Sequence, residues 1–438
     1  MRRNVKFKFK FIGILALLVL FQSAGFAKEY KSKTISKTLD AKPNVFVLHK
    51  YGPLQVEASN DGKVHFEATL TFDANSEADA NEVFKHFDIS VGEAGNEIVL
   101  ETEFDVRSWN QSFGSISIRF KDGQKVKNIS KLKINMVVKV PKIEYLKLKN
   151  KYDKIKVLNS LDHDLEVELY EGQLNTKNVN GKLNLSLKYS QAELGNFNQA
   201  KIELYECTLS LGNGKQANIN SKYSRWTLGS THSLVVDAYE GRGEAGIIKG
   251  HLEMNSKYYR FTASEFETAN VSMYEGCFTA QKGKSIKGQN KYGCINIDHI
   301  GDIDLESAYE TDVTATSIGN LTVQNGKYSN FKTDKLDGGI KANTYEGFIK
   351  VGMVGEGFSG IDFESKYTNL EVGIPSSVKY RLDGDMQYTD IDYPEDRFDT
   401  RTYIEKNSKI TISGKIKGAS DNSPLIKLKA YEGNINLD

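Results

Sequence analysis

Proline is scarce in this chain, six in 438 residues, and cysteine is scarcer, with three. That excludes a disulfide-dense small fold and a proline-rich extended one. Charge of one sign is also lacking, with 58 Lys+Arg against 57 Asp+Glu. The seven histidines (49, 65, 86, 163, 232, 251 and 299) are scattered, with no His-x-x-x-His or Cys-His spacing for a metal. No Gly-x-Ser-x-Gly, P-loop or dinucleotide fingerprint occurs, so the sequence offers no catalytic residues, no metal ligands and no cofactor site. After the first 27 residues, no apolar run is long enough to cross a bilayer as a helix.

Those first 27 residues read as a signal peptide. Arg2, Arg3, Lys6, Lys8 and Lys10 form a basic start, "FIGILALLVLF" is a short apolar core, and "SAGFA" offers cleavage after Ala27. Export is the expectation: to the periplasm, the outer-membrane surface or the outside. Removing the segment takes away five basic residues and no acid, leaving 53 against 57, a net charge of −4. Such a chain has no electrostatic case for nucleic acid.

What the chain has is tyrosine beside charge. Lys-Tyr recurs with Tyr at 152, 189, 223, 258, 292, 328 and 367. Tyr-Glu recurs with Tyr at 170, 205, 239, 274, 309 and 345, interleaved with the first set. The half-period is 17 or 18 residues, and a short apolar alternation follows each pair. Between pairs lie stretches such as "LEVELY" and "LNLSLKY", in which apolar residues hold a period of two. Strands of four to six residues at that interval fit the coils of a β-solenoid; helical solenoids and propeller blades need longer repeats. The reading is all-β: a single-chain parallel β-solenoid (β-helix) of about 13 rungs over 145–373. Stacked strands then make a column on the order of 60 Å long.

Aligned on the apolar pair, Lys stacks with Tyr in one column and Tyr with Glu in the next. An all-Lys or all-Glu column would repel itself; alternation sets each Lys between tyrosine rings and diagonal to Glu. The same alignment puts Ile155, Leu174, Ala192, Leu209, Trp226, Phe261, Phe278, Ile295, Val313, Phe331, Ile349 and Leu370 in one inward column. Counting alternation across the corner turns the tyrosines after Lys inward and those before Glu outward. Tyr170, Tyr205, Tyr239, Tyr274, Tyr309 and Tyr345 therefore form a candidate ligand-facing ladder, with ring-to-stem packing as the plainer alternative. Cys277 and Cys294 precede the apolar pair of neighbouring rungs and share a column, which makes them a candidate disulfide; the spacing leaves open whether they are bonded.

Outside the repeat, residues 28–144 read as a β-rich N-terminal cap. It holds a first rung ("HKYGPLQV"), a short helix within 75–87, a hairpin at 87–104 and an exposed loop at 106–128. Residues 374–438 read as C-terminal rungs and a cap, ending on a last Tyr-Glu rung.

The signal segment, the "KYG.L.V" rung, the "VVKVPK" strand leading to "LKNKYDKIKV" and the short rungs to the C-terminus resemble the putative-adhesin domains of Gram-negative bacteria, including the GIN domain described as an auto-transporter-adhesin head. The resemblance implies a right-handed β-helix on or outside the cell envelope, with no defined catalytic residues; a surface glycan or a protein ligand is the expected partner. The rival is a polysaccharide lyase or hydrolase on a β-helix. Such enzymes build a groove from long loop excursions, and the repeat here stays near 17 to 19 residues. A non-enzymatic structural or binding surface is the expectation.

Overall fold

The computed structural model describes residues 28–438; the segment read as a signal peptide lies outside them. The described residues are all-β, in a mixed but largely parallel sheet arrangement, with one α-helix and one short 3-10 turn among them. They form two compact units.

The larger unit comprises 33–70, 87–104 and 133–438. Its strands pair in parallel with the stretch one repeat further on. Tyr145–Lys151 pairs with Asp164–Tyr170, which pairs with Val179–Lys188, then Phe197–Tyr205, then Gln216–Leu228. Paired residues here step by 17 to 19 positions: Ile155 lies beside Leu174, Leu174 beside Ala192, Ala192 beside Leu209 and Leu209 beside Trp226. From Thr231 to Leu336 the β-structure is continuous. Side-chain hydrogen bonds keep the same step there: Asn270 to Glu253, Lys284 to Glu267, Gln289 to Ser272 and Asn330 to Asp312.

All twelve residues of the expected inward column are buried. One partner of Trp226 is Gly243, and here glycine is required. A Cβ on it would lie 2.4 Å from the Trp226 ring and 2.6 Å from the Tyr259 hydroxyl. The two large rings occupy the space that the glycine leaves. Around them Trp226 meets Phe261 at 5.9 Å, Phe261 meets Phe278 at 5.7 Å, and Phe278 meets Phe266 edge-on at 5.5 Å. Away from the core, asparagines carry the register. Asn178, Asn196 and Asn213 each accept, on the side-chain oxygen, the backbone N–H of the residue 17 or 18 positions on.

The chain's last strand, Leu425–Asn436, lies between Gly360–Val372 and Arg381–Asp392, parallel to both. The C-terminal segment thus enters the stack one place before the segment that precedes it in sequence. Antiparallel pairing of Arg381–Asp392 with Lys409–Ile416, and of that strand with Phe398–Lys406, follows. At the other end, Asn44–Leu48 pairs with Tyr145–Lys151 and with Glu97–Phe104, the second arm of an antiparallel hairpin from Phe87.

The smaller unit comprises, among the described residues, 28–32, 71–86 and 105–132. Its helix, Glu77–Lys85, is capped by Ser76, whose hydroxyl accepts the Asp79 N–H at 3.1 Å, and Phe84 packs on Phe72. The loop expected at 106–128 is instead an antiparallel hairpin, Val106–Ser112 with Ser115–Phe120. Its turn residues Phe113 and Gly114 both have positive φ, and "SISIRF" alternates apolar with polar. The phenylalanine hid the two-residue turn, because that position usually holds Asn, Asp or Gly.

Candidate functional site

Each rung turns one corner in the same way. The second residue of each of the thirteen pairs between Lys151 and Tyr367 is left-handed: Tyr152, Tyr189, Tyr223, Tyr258, Tyr292, Tyr328 and Tyr367, and Glu171, Glu206, Glu240, Glu275, Glu310 and Glu346, with φ between 45° and 69°. A non-glycine residue in that region costs on the order of 1 kcal/mol or more. The hydrogen bonds made there offset the cost. The Glu171 N–H donates to the Lys188 carbonyl of the next rung, Tyr189 to Tyr205 and Glu206 to Lys222, each at 3.0 Å.

The residue after the pair is small or polar at every one of these corners except Tyr259, whose ring is buried in the core. The hydroxyls of Ser190, Ser224 and Ser329 donate to the carbonyl two residues back, at 2.7 to 2.8 Å. The same oxygens accept the N–H of Gly172, Cys207 and Thr311 from the preceding rung. On intervening rungs the position is glycine where no side chain fits. At Gly347, with φ of 143°, a Cβ would sit 2.1 Å from the Ser329 carbonyl oxygen.

Register pairs Lys151 with Tyr170, Tyr170 with Lys188, Lys188 with Tyr205, Tyr205 with Lys222 and Lys222 with Tyr239, the Lys-on-Tyr column read from the sequence. The in/out assignment is wrong. Tyrosines after Lys do not turn inward; they are 41–50 % exposed, whereas Tyr239, Tyr274 and Tyr345 are 36–37 % exposed and Tyr170, Tyr205 and Tyr309 are half-buried. The left-handed residue adds a twist at the corner, so side-chain parity restarts there. In "SLKYS" it is Leu187 and Ser190 that point in, and Lys188 and Tyr189 that point out.

Both classes therefore join in one ladder. Fifteen rings follow one another from Tyr152 through Tyr170, Tyr189, Tyr205 and onward to Tyr367, Tyr431 and Tyr388. Centroids are 5.3–6.0 Å apart and successive rings cross at 72–89°, the edge-to-face geometry worth about 0.5–1.5 kcal/mol per pair beyond burial. The six candidate tyrosines are every second ring of its central part. Lost hydration raises the phenols of Tyr170, Tyr205 and Tyr309, and neighbouring glutamates and tyrosines push the same way. Lys151 stands 5.9 Å from the Tyr170 ring and Lys366 5.9 Å from Tyr431.

Cys277 and Cys294 occupy adjacent rungs, bonded, with Cα atoms 4.5 Å apart; Cys207 is a buried thiol. Thiol titration of the denatured, unreduced chain should find one reactive thiol, and three after reduction. Because the loop closed is 17 residues, reduction should lower stability by at most about 3 kcal/mol. Three thiols without reductant would show the pair unbonded.

No family model matches the chain, and no curated protein matches it. Similar solved structures are distant. They include a putative cell adhesion protein from Clostridium sporogenes, 11% identical, covering 93% of this chain and 99% of its own, with a TM-score of 0.19. A putative lipid binding protein from Parabacteroides distasonis is 9% identical over 66% of this chain and 95% of its own, with a TM-score of 0.23. A putative adhesin from Bacteroides fragilis is 14% identical over 65% of this chain and 96% of its own, with a TM-score of 0.19. None of the three superposes closely on this chain.

Proposed function

We infer that the chain is an exported, non-enzymatic β-helix protein of the cell envelope, whose tyrosine corner is a binding surface for a glycan or protein ligand. In this reading 145–373 is a parallel solenoid of about 13 rungs, capped by 28–144 and 374–438. Cleavage after Ala27 would release the mature chain. No helix among the described residues is long and apolar enough to cross a membrane.

The ladder carries the reading. Aromatic rings that only filled a corner would be driven to bury; eleven of these fifteen stay 36–54 % exposed and the other four are half-buried. Rows of half-exposed tyrosine, amphipathic and conformationally inexpensive, suit ligands that present apolar faces beside hydroxyls or amides. Binding energy would be spread along the row, each ring contributing little.

A glycan array and a panel of matrix proteins, probed with the wild-type chain and with Tyr223→Ser/Tyr239→Ser/Tyr258→Ser, test it. Three neighbouring rings are removed, one from the class originally assigned outward and two from the other. Binding should weaken at least about tenfold, with far-UV circular dichroism unchanged. Undiminished binding would remove the ladder from the interaction. Release of unsaturated or reducing sugar ends from a polysaccharide would favour the enzyme instead.

A further inference from the structure

The geometry points to a divalent transition-metal site, of the Zn²⁺ class, formed by Glu82, His86 and Asp122 in the smaller unit. Glu82 and His86 are four residues apart at the end of the helix, so both side chains share its face. Asp122 comes from the turn between Phe120 and Gln124, 36 residues later in the chain. The His86 Nε2 lies 3.2 Å from a Glu82 oxygen and 3.5 Å from an Asp122 oxygen. All three donor atoms fall within 4.8 Å of one another, and among the described residues no other trio of His, Cys, Asp and Glu meets that closely. A tetrahedral ion with bonds of about 2.1 Å spans donor–donor edges of about 3.4 Å. The two His86 distances are of that size.

The two carboxylates are also held through their second oxygens, and the imidazole by ring stacking, so surrounding groups orient all three. The His86 ring lies flat on Phe120, 3.8 Å between centroids and 8° from parallel. The second Asp122 oxygen accepts the Gln124 N–H at 2.9 Å, and the second Glu82 oxygen accepts from Lys85 at 2.9 Å. The site closes the C-terminal end of the helix, where the backbone dipole favours a cation. Asp122 is half exposed, which leaves a path for the ion and room for water as the fourth ligand. One nitrogen and two carboxylate oxygens suit zinc and its neighbours better than calcium, which takes six or more oxygens.

The full chain, stripped with EDTA and dialysed, should bind one Zn²⁺ per molecule in calorimetric titration and bind Ca²⁺ at least about tenfold more weakly. Asp122→Asn, on an exposed turn, should weaken Zn²⁺ binding at least about tenfold with the melting temperature of the metal-free chain unchanged. His86→Gln should do the same or more. Asp61→Asn, beside His65 in the larger unit, should leave it unaltered. No heat of Zn²⁺ binding, an affinity indifferent to Asp122→Asn, or Ca²⁺ bound as tightly as Zn²⁺ would each overturn the assignment. The tyrosine corner is untouched by these substitutions, so ligand capture by the ladder stands or falls separately.

Discussion

Phe278→Ala should lower stability by about 3–5 kcal/mol, the cost of deleting a fully buried aromatic side chain. Phe278 has no exposed surface and touches rings on two sides, Phe261 and Phe266. In the solenoid reading neighbouring rungs are tied to each other by backbone hydrogen bonds, so they cannot close over the vacancy and most of the cavity term persists. The loss should also be local, because stacked repeats contact mainly their neighbours. Urea unfolding would read the loss, and hydrogen exchange should quicken around 261–297 before it does elsewhere. A change under about 1 kcal/mol would mean that Phe278 is not in the packed column.

Acid should destabilise the chain through His49. This ring is buried, with Nε2 3.0 Å from the Ile134 carbonyl and Nδ1 3.0 Å from the Thr102 hydroxyl. Nε2–H donates to the carbonyl and Nδ1 accepts from Thr102, an arrangement that needs the neutral ring. Burial pushes its pKa from 6.5 to about 4, against smaller upward contributions from the Ile134 carbonyl and Asp153. The unfolded chain takes up a proton below pH 6.5, whereas the folded chain resists until about pH 4. The stabilisation is therefore complete above pH 6.5 and is lost as pH falls towards 4, in all about 3 kcal/mol. His49→Gln should remove up to about 1.4 kcal/mol per pH unit from the slope of stability across that window. Equal slopes in the two proteins would show that the ring is not held neutral.

The inward column was legible because burial repeats where apolar residues repeat, from Ile155 to Leu370, and a 17-residue step leaves little freedom in the alignment. The corner was not. Strand parity is a sound count only while φ stays negative, and a left-handed Tyr189 or Glu206 looks in sequence like any other residue. A signal did exist in the next position: Gly172, Ser190, Cys207, Ser224, Gly241, Gly276, Gly293, Thr311, Ser329 and Gly347 are all small. Small residues recurring after a pair mark a tight corner, with Tyr259 the exception.

The alternation of Lys-Tyr with Tyr-Glu also proves to be a rule about space. After Lys366-Tyr367 the next left-handed tyrosine in the chain is Tyr388, preceded by Gln387 where the earlier rungs have Lys; Lys379-Tyr380 intervenes in sequence, but Tyr380 is buried and off the ladder. The stack instead inserts Tyr431-Glu432 between them, so the classes still alternate along the ladder. Read that way, the alternation could have placed the final strand. Nothing comparable pointed to Asp122, which no periodicity connects to Glu82 and His86.

Cysteine cross-linking tests the parallel 17-residue step most directly. In the solenoid reading Glu253 lies beside Asn270, whose side chain donates to it at 3.2 Å, while Lys287 is a further 17 residues on and paired with Asp304. With Cys207 replaced by Ala, Glu253→Cys/Asn270→Cys should form a disulfide under mild oxidation, detected by peptide mass mapping. Glu253→Cys/Lys287→Cys should not, since two rungs separate the Cα atoms by about 10 Å, beyond what the bond spans. Cross-linking of the second pair, or failure of the first, would contradict the stacking on which the tyrosine ladder depends.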